Sequence, residues 1–369
     1  MNRCHRHVCV FTAIALCAAC ADLTLAQTQI VFSPFGGANN QPEMQIASSD
    51  GTNIRPVLPP ALEQHVLSLT VDPRDQTIYY GGWAADYEIG RVRSDGTGKT
   101  TLYSLHALDP LVFNRSNATP SPYGISIDTL HNKLYWVGGQ NNTNGFGSDI
   151  PTFIQRSNLD GSNVETLRQT LWTVSSPYGP AVDGLSGKMY WTDESNFSIR
   201  RANLDGSGMQ TILNRGAGAS TFPWLLGGLA IDFQHQQMFW SELTPDHQNS
   251  SIMSAGLDGT GVHSLLTVSG AEHNWFDMPV VTGMAVDPAA SVLYFADSTG
   301  SIKRANYNGS GIQTLIASTP RPFSIGLLPV PEPGSIFLGL GATVGFWLTR
   351  KFGFVGRRKA ESNLVQRAS

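Results

Sequence analysis

Five aspartates recur in one setting along this chain. Asp72, Asp128, Asp183, Asp232 and Asp287 each follow an aliphatic residue, and an aromatic stands eight residues after each: Tyr80, Trp136, Trp191, Trp240 and Phe295. Repeated carboxylates could ligate a hard metal ion or serve as acid and base. Their fixed offset points to a simpler role. A carboxylate at the end of a strand, just before a short turn such as Asp128-Thr129-Leu130-His131-Asn132-Lys133, accepts backbone N–H bonds and closes that turn. Elsewhere there is no nucleophile elbow, Cys/His pair, His-Glu-x-x-His run or phosphate-binding Gly loop. His106, His247, His263 and His273 are scattered. The expectation is a protein that is not an enzyme, with no catalytic residue, no metal and no cofactor.

What positions these residues is read from a second repeat. Asp50-Gly51, Asp95-Gly96, Asp160-Gly161, Asp205-Gly206, Asp258-Gly259 and Asn308-Gly309 each have an apolar residue six positions before (Met44, Ile89, Ile154, Ile199, Ile252, Ile302). Another stands seven positions after (Val57, Leu102, Leu167, Ile212, Leu265, Leu315). Runs joined by Asp-Gly or Asn-Gly make β-hairpins, because Gly tolerates the positive φ of a tight turn. Together the two signatures make units of four short strands, repeating every 40–50 residues or so, the period of propeller blades. The first copy, around Val31-Phe32, lacks the aliphatic-Asp strand, and Pro322-Phe323-Ser324-Ile325-Gly326-Leu327-Leu328 aligns with Pro122-Tyr123-Gly124-Ile125-Ser126-Ile127-Asp128 to supply it. The predicted fold is therefore all-β: a six-bladed β-propeller of four-stranded blades, its ring closed by strands from both termini and left without a free seam.

An enzymatic propeller places acids or His on its innermost strands. Here those strands read Leu67-Ser68-Leu69-Thr70, Ile125-Ser126-Ile127, Pro180-Ala181-Val182, Leu229-Ala230-Ile231, Met284-Ala285-Val286 and Ser324-Ile325-Gly326, with no acid or His before the terminal Asp. Trp136, Trp191 and Trp240 read as packing between blades, and Arg91, Arg156, Arg201 and Arg304 as bridges to neighbouring turns or carboxylates. Connection lengths place recognition. First-to-second-strand turns (73–77, 129–133) and the Asp-Gly turns are short, whereas the connections to the next blade (103–122, 168–178, 214–226, 267–282) and from second to third strand (138–152, 242–251) are long. Both long classes emerge on one face of a propeller, and long loops on a rigid scaffold carry recognition. Trp172, Phe222, Trp224, His273, Trp275, Phe276 and Asp277 in or beside them, with Trp83 and Asp86 on a shorter crossing, are the candidate ligand-binding residues.

Tyr190-Trp191-Thr192-Asp193 resembles the YWTD signature of propellers in the low-density lipoprotein receptor family (class B repeats), with variants at Tyr135-Trp136-Val137-Gly138, Phe239-Trp240-Ser241-Glu242 and Tyr294-Phe295-Ala296-Asp297. The Ile-x-Arg element recurs at Ile89/Arg91, Ile154/Arg156, Ile199/Arg201 and Ile302/Arg304. The likeness runs from about residue 30 to 328; the first copy and Tyr79-Tyr80-Gly81-Gly82 are degenerate, and flanking Cys-rich modules are absent. Such receptor propellers bind proteins. The resemblance implies a binding module for a protein or polysaccharide; a hydrolase or lactonase-like propeller and a purely structural matrix protein are the alternatives.

All four cysteines, Cys4, Cys9, Cys17 and Cys20, fall in residues 1–26, where Arg3 and Arg6 precede the apolar run Val8 to Ala19, the layout of a signal peptide cleaved after Ala21 or Ala26. A lipobox at Cys20 is the competing reading, although Cys17 stands where Leu is expected. After the domain at 27–329, residues 330–369 hold Pro331, Glu332 and Pro333, an apolar stretch from Ile336 to Leu348, and basic residues from Arg350. That stretch is shorter than the roughly 20 residues of a spanning helix. The arrangement resembles the PEP-CTERM sorting tail of Gram-negative bacteria. The resemblance implies transient inner-membrane anchoring, an exosortase-type processing partner and release to the cell surface or extracellular matrix; an ordinary anchor is the alternative. Within residues 27–329 the 25 Asp and Glu outnumber the 16 Lys and Arg, which disfavours nucleic acid as a partner.

Overall fold

The structure, a computed structural model, describes residues within Thr28–Pro329 except 35–43, 60–64, 84–87, 105–117, 143–150, 172–176, 194–195, 216–224, 244–248, 270–280, 298, 318 and 320–321. The expected signal segment and sorting tail, Pro331, Glu332 and Pro333 included, lie outside the described residues. Thr28–Pro329 is one compact unit.

Strands form six antiparallel sheets of four. Blade 1 takes β24 (Pro322–Pro329) as its first strand, then β1 (Thr28–Pro34), β2 (Met44–Ser48) and β3 (Arg55–Leu58). Blade 2 is β4 (His65–Asp72), β5 (Thr77–Trp83), β6 (Glu88–Arg93) and β7 (Thr100–Ser104). Blade 3 is β8 (Ala118–Asp128), β9 (Lys133–Asn142), β10 (Pro151–Asn158) and β11 (Glu165–Leu171). Blade 4 is β12 (Pro177–Asp183), β13 (Lys188–Asp193), β14 (Ser198–Asn203) and β15 (Gln210–Asn214). Blade 5 is β16 (Leu225–Asp232), β17 (Gln237–Leu243), β18 (Asn249–Gly256) and β19 (His263–Ser269), and blade 6 is β20 (Val281–Asp287), β21 (Val292–Asp297), β22 (Ser301–Asn306) and β23 (Gln313–Ile316). The first strands touch in a closed cycle, β4 to β8, β12, β16, β20, β24 and back to β4. The split blade is as the sequence predicts: Thr28 pairs with Pro329, Ile30 with Leu327 and Phe32 with Ile325. This register puts Val31-Phe32-Ser33-Pro34 where the other blades carry the YWTD motif.

Two sequence signatures meet at every blade interface. The motif aromatic of each blade shares a buried cluster with the apolar residue six positions before the preceding blade's turn: Tyr80 with Met44, Trp136 with Ile89, Trp191 with Ile154, and both Trp240 with Ile199 and Phe295 with Ile252. At the closure Phe32 does the same with Ile302. Each such aromatic is at most 2% exposed, and burying one stabilises the ring by roughly 1.5–3 kcal/mol. The tryptophans are thus inter-blade wedges, as their spacing suggests.

The outer rim is held by the hairpin turns. Each turn glycine has φ between +78° and +86° and rests on the carbonyl of the apolar residue seven positions after the preceding blade's turn. A Cβ on Gly206 would sit 2.8 Å from the Leu167 oxygen, and Gly51 makes the same contact with Leu315 across the closure. At the centre, the residue four before each terminal Asp is Gly or Ser: Ser68, Gly124, Gly179, Gly228 and Gly283, with Ser324 at the matching place in β24. Neighbouring first strands come so close that a Cβ on Gly283 would lie 2.9 Å from the Phe323 oxygen. The serines use the proximity differently. Ser68 Oγ donates to the Pro122 carbonyl at 3.2 Å, and the Leu69 N–H donates to Ser324 Oγ at 3.2 Å.

Candidate recognition face

Strand direction assigns each connection to a face. The short turns after the terminal aspartates and the Asp-Gly hairpins share one; the blade-to-blade and second-to-third-strand connections share the other. Several strands run further than the sequence suggests, so the long connections narrow to 105–117, 143–150, 172–176, 216–224, 244–248 and 270–280. Four of these, 105–117, 143–150, 216–224 and 270–280, remain longer than any turn opposite, whereas 172–176 and 244–248 are as short as those turns.

On the short-turn face the aspartates do what their spacing predicts. Asp128 Oδ1 accepts from the N–H groups of Leu130 (3.0 Å) and His131 (3.1 Å), while His131 Nδ1 lies 2.8 Å from Oδ2. Asp183 accepts from Leu185 and Ser186, and Asp287 from Ala290. Asp72 takes the Arg74 N–H and, at 2.7 Å, its guanidinium. Burial pushes the Asp72 carboxyl up, but the Arg74 bonds outweigh it and hold the group below its ordinary value. Asp232 is likewise lowered: against burial stand His235, through its N–H and a 2.7 Å ring contact, and the Tyr307 hydroxyl at 3.0 Å. Among the described residues no three His, Cys, Asp or Glu side chains gather as a metal-ligand set.

Tyr307 marks a substitution between blades that sequence reasoning missed. In blades 2, 3 and 6 the motif tyrosine bonds the Ile-x-Arg arginine, Tyr79 with Arg91, Tyr135 with Arg156 and Tyr294 with Arg304. Blade 5 carries Phe239 and Ser254 instead. There the next blade delivers the hydroxyl, with the Tyr307 ring packed against Phe239, centroids 4.7 Å apart and planes tilted by 47°. The arginines act partly as predicted. Arg156 binds Glu165 at 2.7 Å and the Leu204 carbonyl of the next blade's turn at 3.0 Å, and Arg55 makes the equivalent bridge to Ser94 from blade 1. Arg201 and Arg304 bind side-chain amides on their own blades, Gln210 and Gln313.

Towards the long-connection face, second strands end in carboxylates that are already paired. Asp193 binds Arg200 at 2.9 Å and Asn196 at 3.2 Å. Asp297 binds Lys303 at 2.7 Å and the Thr299 N–H at 3.0 Å, and Glu242 binds Arg215 at 2.8 Å. Glu88 accepts from the Tyr80 hydroxyl at 2.9 Å and from Thr101. These groups fasten the ends of the connections. The YWTD register of Asp193, Glu242 and Asp297 was visible in the sequence and their cationic partners were not; Glu88 stands outside that register, at the start of β6.

Of the sequence-predicted ligand residues, Trp83 ends β5, its backbone opposite His65. Asp86, Trp172, Phe222, Trp224, His273, Trp275, Phe276 and Asp277 lie outside the described residues. The strands that bracket them are described, and they attach these segments to the long-connection face: β5 to β6, β11 to β12, β15 to β16 and β19 to β20.

No family model matches the chain. It is similar to a protein of Pyricularia oryzae named low-density lipoprotein receptor-related protein 1, 28% identical over 183 residues, which are 48% of this chain and 57% of that protein. It is similar also to the vitellogenin receptor of Solenopsis invicta, 22% identical over 59% of this chain and 11% of the receptor, and to protein cueball of Drosophila sechellia, 36% identical over 25% of this chain and 13% of that protein. The matched stretch thus spans little more than half of the first relative and a small part of the others. Among solved structures, a chain of the nidogen/laminin complex aligns with a TM-score of 0.59 and 18% identity, over 81% of this chain and 98% of that one. TolB from Acinetobacter baumannii aligns with a TM-score of 0.58 and 13% identity, over 82% and 67%. These structural likenesses concern the fold; with the receptor-related sequences they support a six-bladed propeller of the YWTD type.

Proposed function

We propose that the chain is an exported bacterial binding module, displayed at the cell surface or in the extracellular matrix, whose long-connection face recognises a protein or polysaccharide. One observation carries this reading, the asymmetry of the two faces. On the short-turn face the aspartates are consumed by closing turns, and the chain both enters and leaves the ring there, through the pair Thr28 and Pro329. Folding alone is satisfied by such turns. The opposite face carries the long connections and Trp172, Trp224 and Trp275, side chains that offer large contact area at small cost in rotamer entropy. The receptor names of two curated relatives point the same way. Residues 1–26 serve export in this reading, and Pro331, Glu332 and Pro333 direct an exosortase-type enzyme to a transient membrane anchor. Recognition rather than catalysis is proposed because, between His65 at the start of β4 and the terminal aspartates, the innermost strands carry no acid or His.

The test is a protein and glycan array probed with the full chain, followed by Trp172→Ala, Trp224→Ala and Trp275→Ala measured against whatever it captures. We expect affinity to fall about tenfold or more per anchor residue, as for central interface aromatics, with melting temperature nearly unchanged. Variants that instead unfold the ring while the folded fraction binds normally would make these loops packing elements and end the binding-face reading.

A further inference from the structure

The sixth hairpin turn has Asn308-Gly309 where the others have Asp-Gly. Asn308 is exposed, and its Oδ1 accepts from the Ser310 N–H at 3.0 Å and the Ser310 hydroxyl at 2.6 Å. Asp205 makes the same two bonds to Ser207, at 2.9 and 2.6 Å, and Asp258 to Thr260, at 3.0 and 2.7 Å. Asp50, Asp95 and Asp160 repeat them. This turn is therefore built around one oxygen, and the amide nitrogen of Asn308 takes no part in it. Glycine in the next position presents no side chain to hinder attack by its own backbone nitrogen on the Asn308 carboxamide.

We propose that Asn308 is a site of spontaneous deamidation, gated by its turn, whose aspartate product takes the position that the other five turns already give to aspartate. Gly309 N loses its proton and bonds to Asn308 Cγ, the Cγ–Nδ2 bond breaks, and ammonia leaves a cyclic imide. Water then opens the imide. Cleavage of the Cγ–N bond yields aspartate; cleavage of the bond from the main-chain carbonyl carbon to N yields isoaspartate, with one extra backbone atom. The gate is the hydrogen bond from the Gly309 N–H to the Asn306 carbonyl at 2.8 Å, backed by Asn306 N–H to Ser310 O at 2.9 Å. That nitrogen must leave its bond before it can attack. The two products meet different fates. Aspartate finds the bonds its five counterparts use, although Ser254 stands where the neighbouring blades of Asp160, Asp205 and Asp258 supply Arg91, Arg156 and Arg201. Isoaspartate does not fit, because Gly309 lies so close to the Leu265 carbonyl that even a Cβ would overlap it.

The full chain is incubated in mildly alkaline buffer, folded and in denaturant, and peptides covering Asn308 and the other Asn-Gly pair, Asn144-Gly145, are followed by mass spectrometry. The denatured chain should gain about one dalton at Asn308 at least about tenfold faster than the folded chain, since opening of the turn is the folded chain's slow requirement. An Asn308→Asp variant should melt within about 2 °C of the parent, while folded protein enriched in isoaspartate at 308 should melt lower. Equal rates in the two states would remove the gate, and a large fall in melting temperature for Asn308→Asp would remove the fit of the product. No conversion at Asn308 in denaturant, with Asn144 converting, would remove the site.

Discussion

Ending the chain at residue 320 should unfold the ring, whereas ending it at residue 330 should leave it intact. The first cut removes β24, the innermost strand of blade 1, and with it the whole ladder from Thr28–Pro329 to Pro34–Pro322. It also strips Ile325 and Leu328, 5% and 1% exposed, from the core. Burial of those two side chains contributes about 3–6 kcal/mol, before the lost backbone bonds are counted, against a total stability of about 5–15 kcal/mol for a typical domain. The Ser324 contact to Leu69 and the Gly283 packing against Phe323 disappear as well, so blades 2 and 6 lose their neighbour together. Thermal melts of the two truncations, read by far-ultraviolet circular dichroism, check this. Equal melting temperatures would mean that β24 does not close the ring.

Replacing Trp136 by Ala should cost about 3–5 kcal/mol, the range for large-to-small changes in a packed core. Trp136 is fully buried between Ile89 of blade 2 and Ile125 and Phe153 of its own blade, and Tyr103 of blade 2 packs against its ring at 5.9 Å. Its Nε1 donates to Gln155 Oε1 at 3.0 Å, so removal also leaves that buried amide without its donor. Trp191 is the internal comparison. Its Nε1 is buried with no hydrogen-bond partner among the described residues, because the acid two positions on is Asp193, held by Arg200, where Trp240 reaches the longer Glu242 at 2.7 Å. Trp191→Ala therefore loses packing alone and should cost less than Trp136→Ala. Urea unfolding of both variants at fixed pH measures the difference; a Trp136→Ala midpoint close to the parent's would contradict the wedge account.

Repetition made the architecture legible. The Asp-Gly turns set the hairpins, the aliphatic-Asp and aromatic pairs set the first two strands, and the likeness of Pro322–Leu328 to an inner strand revealed the split blade. What escaped the reading lies between blades, where partners are distant in sequence. The Gly or Ser four before each terminal Asp was in plain view, yet its reason, the close approach of adjacent first strands, appears only once the ring is assembled. The first copy looked degenerate because Phe32 replaces Trp and Arg55 sits on the fourth strand instead of the third, although both make the interface contacts of their counterparts. Tyr307 was invisible for the same reason, since its value depends on Phe239 and Ser254 one blade away. For the candidate site, connection lengths gave the face. The side chains that would make contact lie, apart from the position of Trp83, outside the described residues, so the sequence remains the basis for naming them.

In the proposed function one face of the ring recognises and the other only folds. Hydrogen exchange of the full chain with and without a ligand captured on the array tests it directly, peptide by peptide. We predict that binding slows exchange in the segments 105–117, 143–150, 172–176, 216–224, 244–248 and 270–280 that join strands on the long-connection face, with the turns at 73–77 and 129–133 and the Asp-Gly hairpins unchanged. Protection centred on those short turns, with the long connections unaffected, would contradict the account.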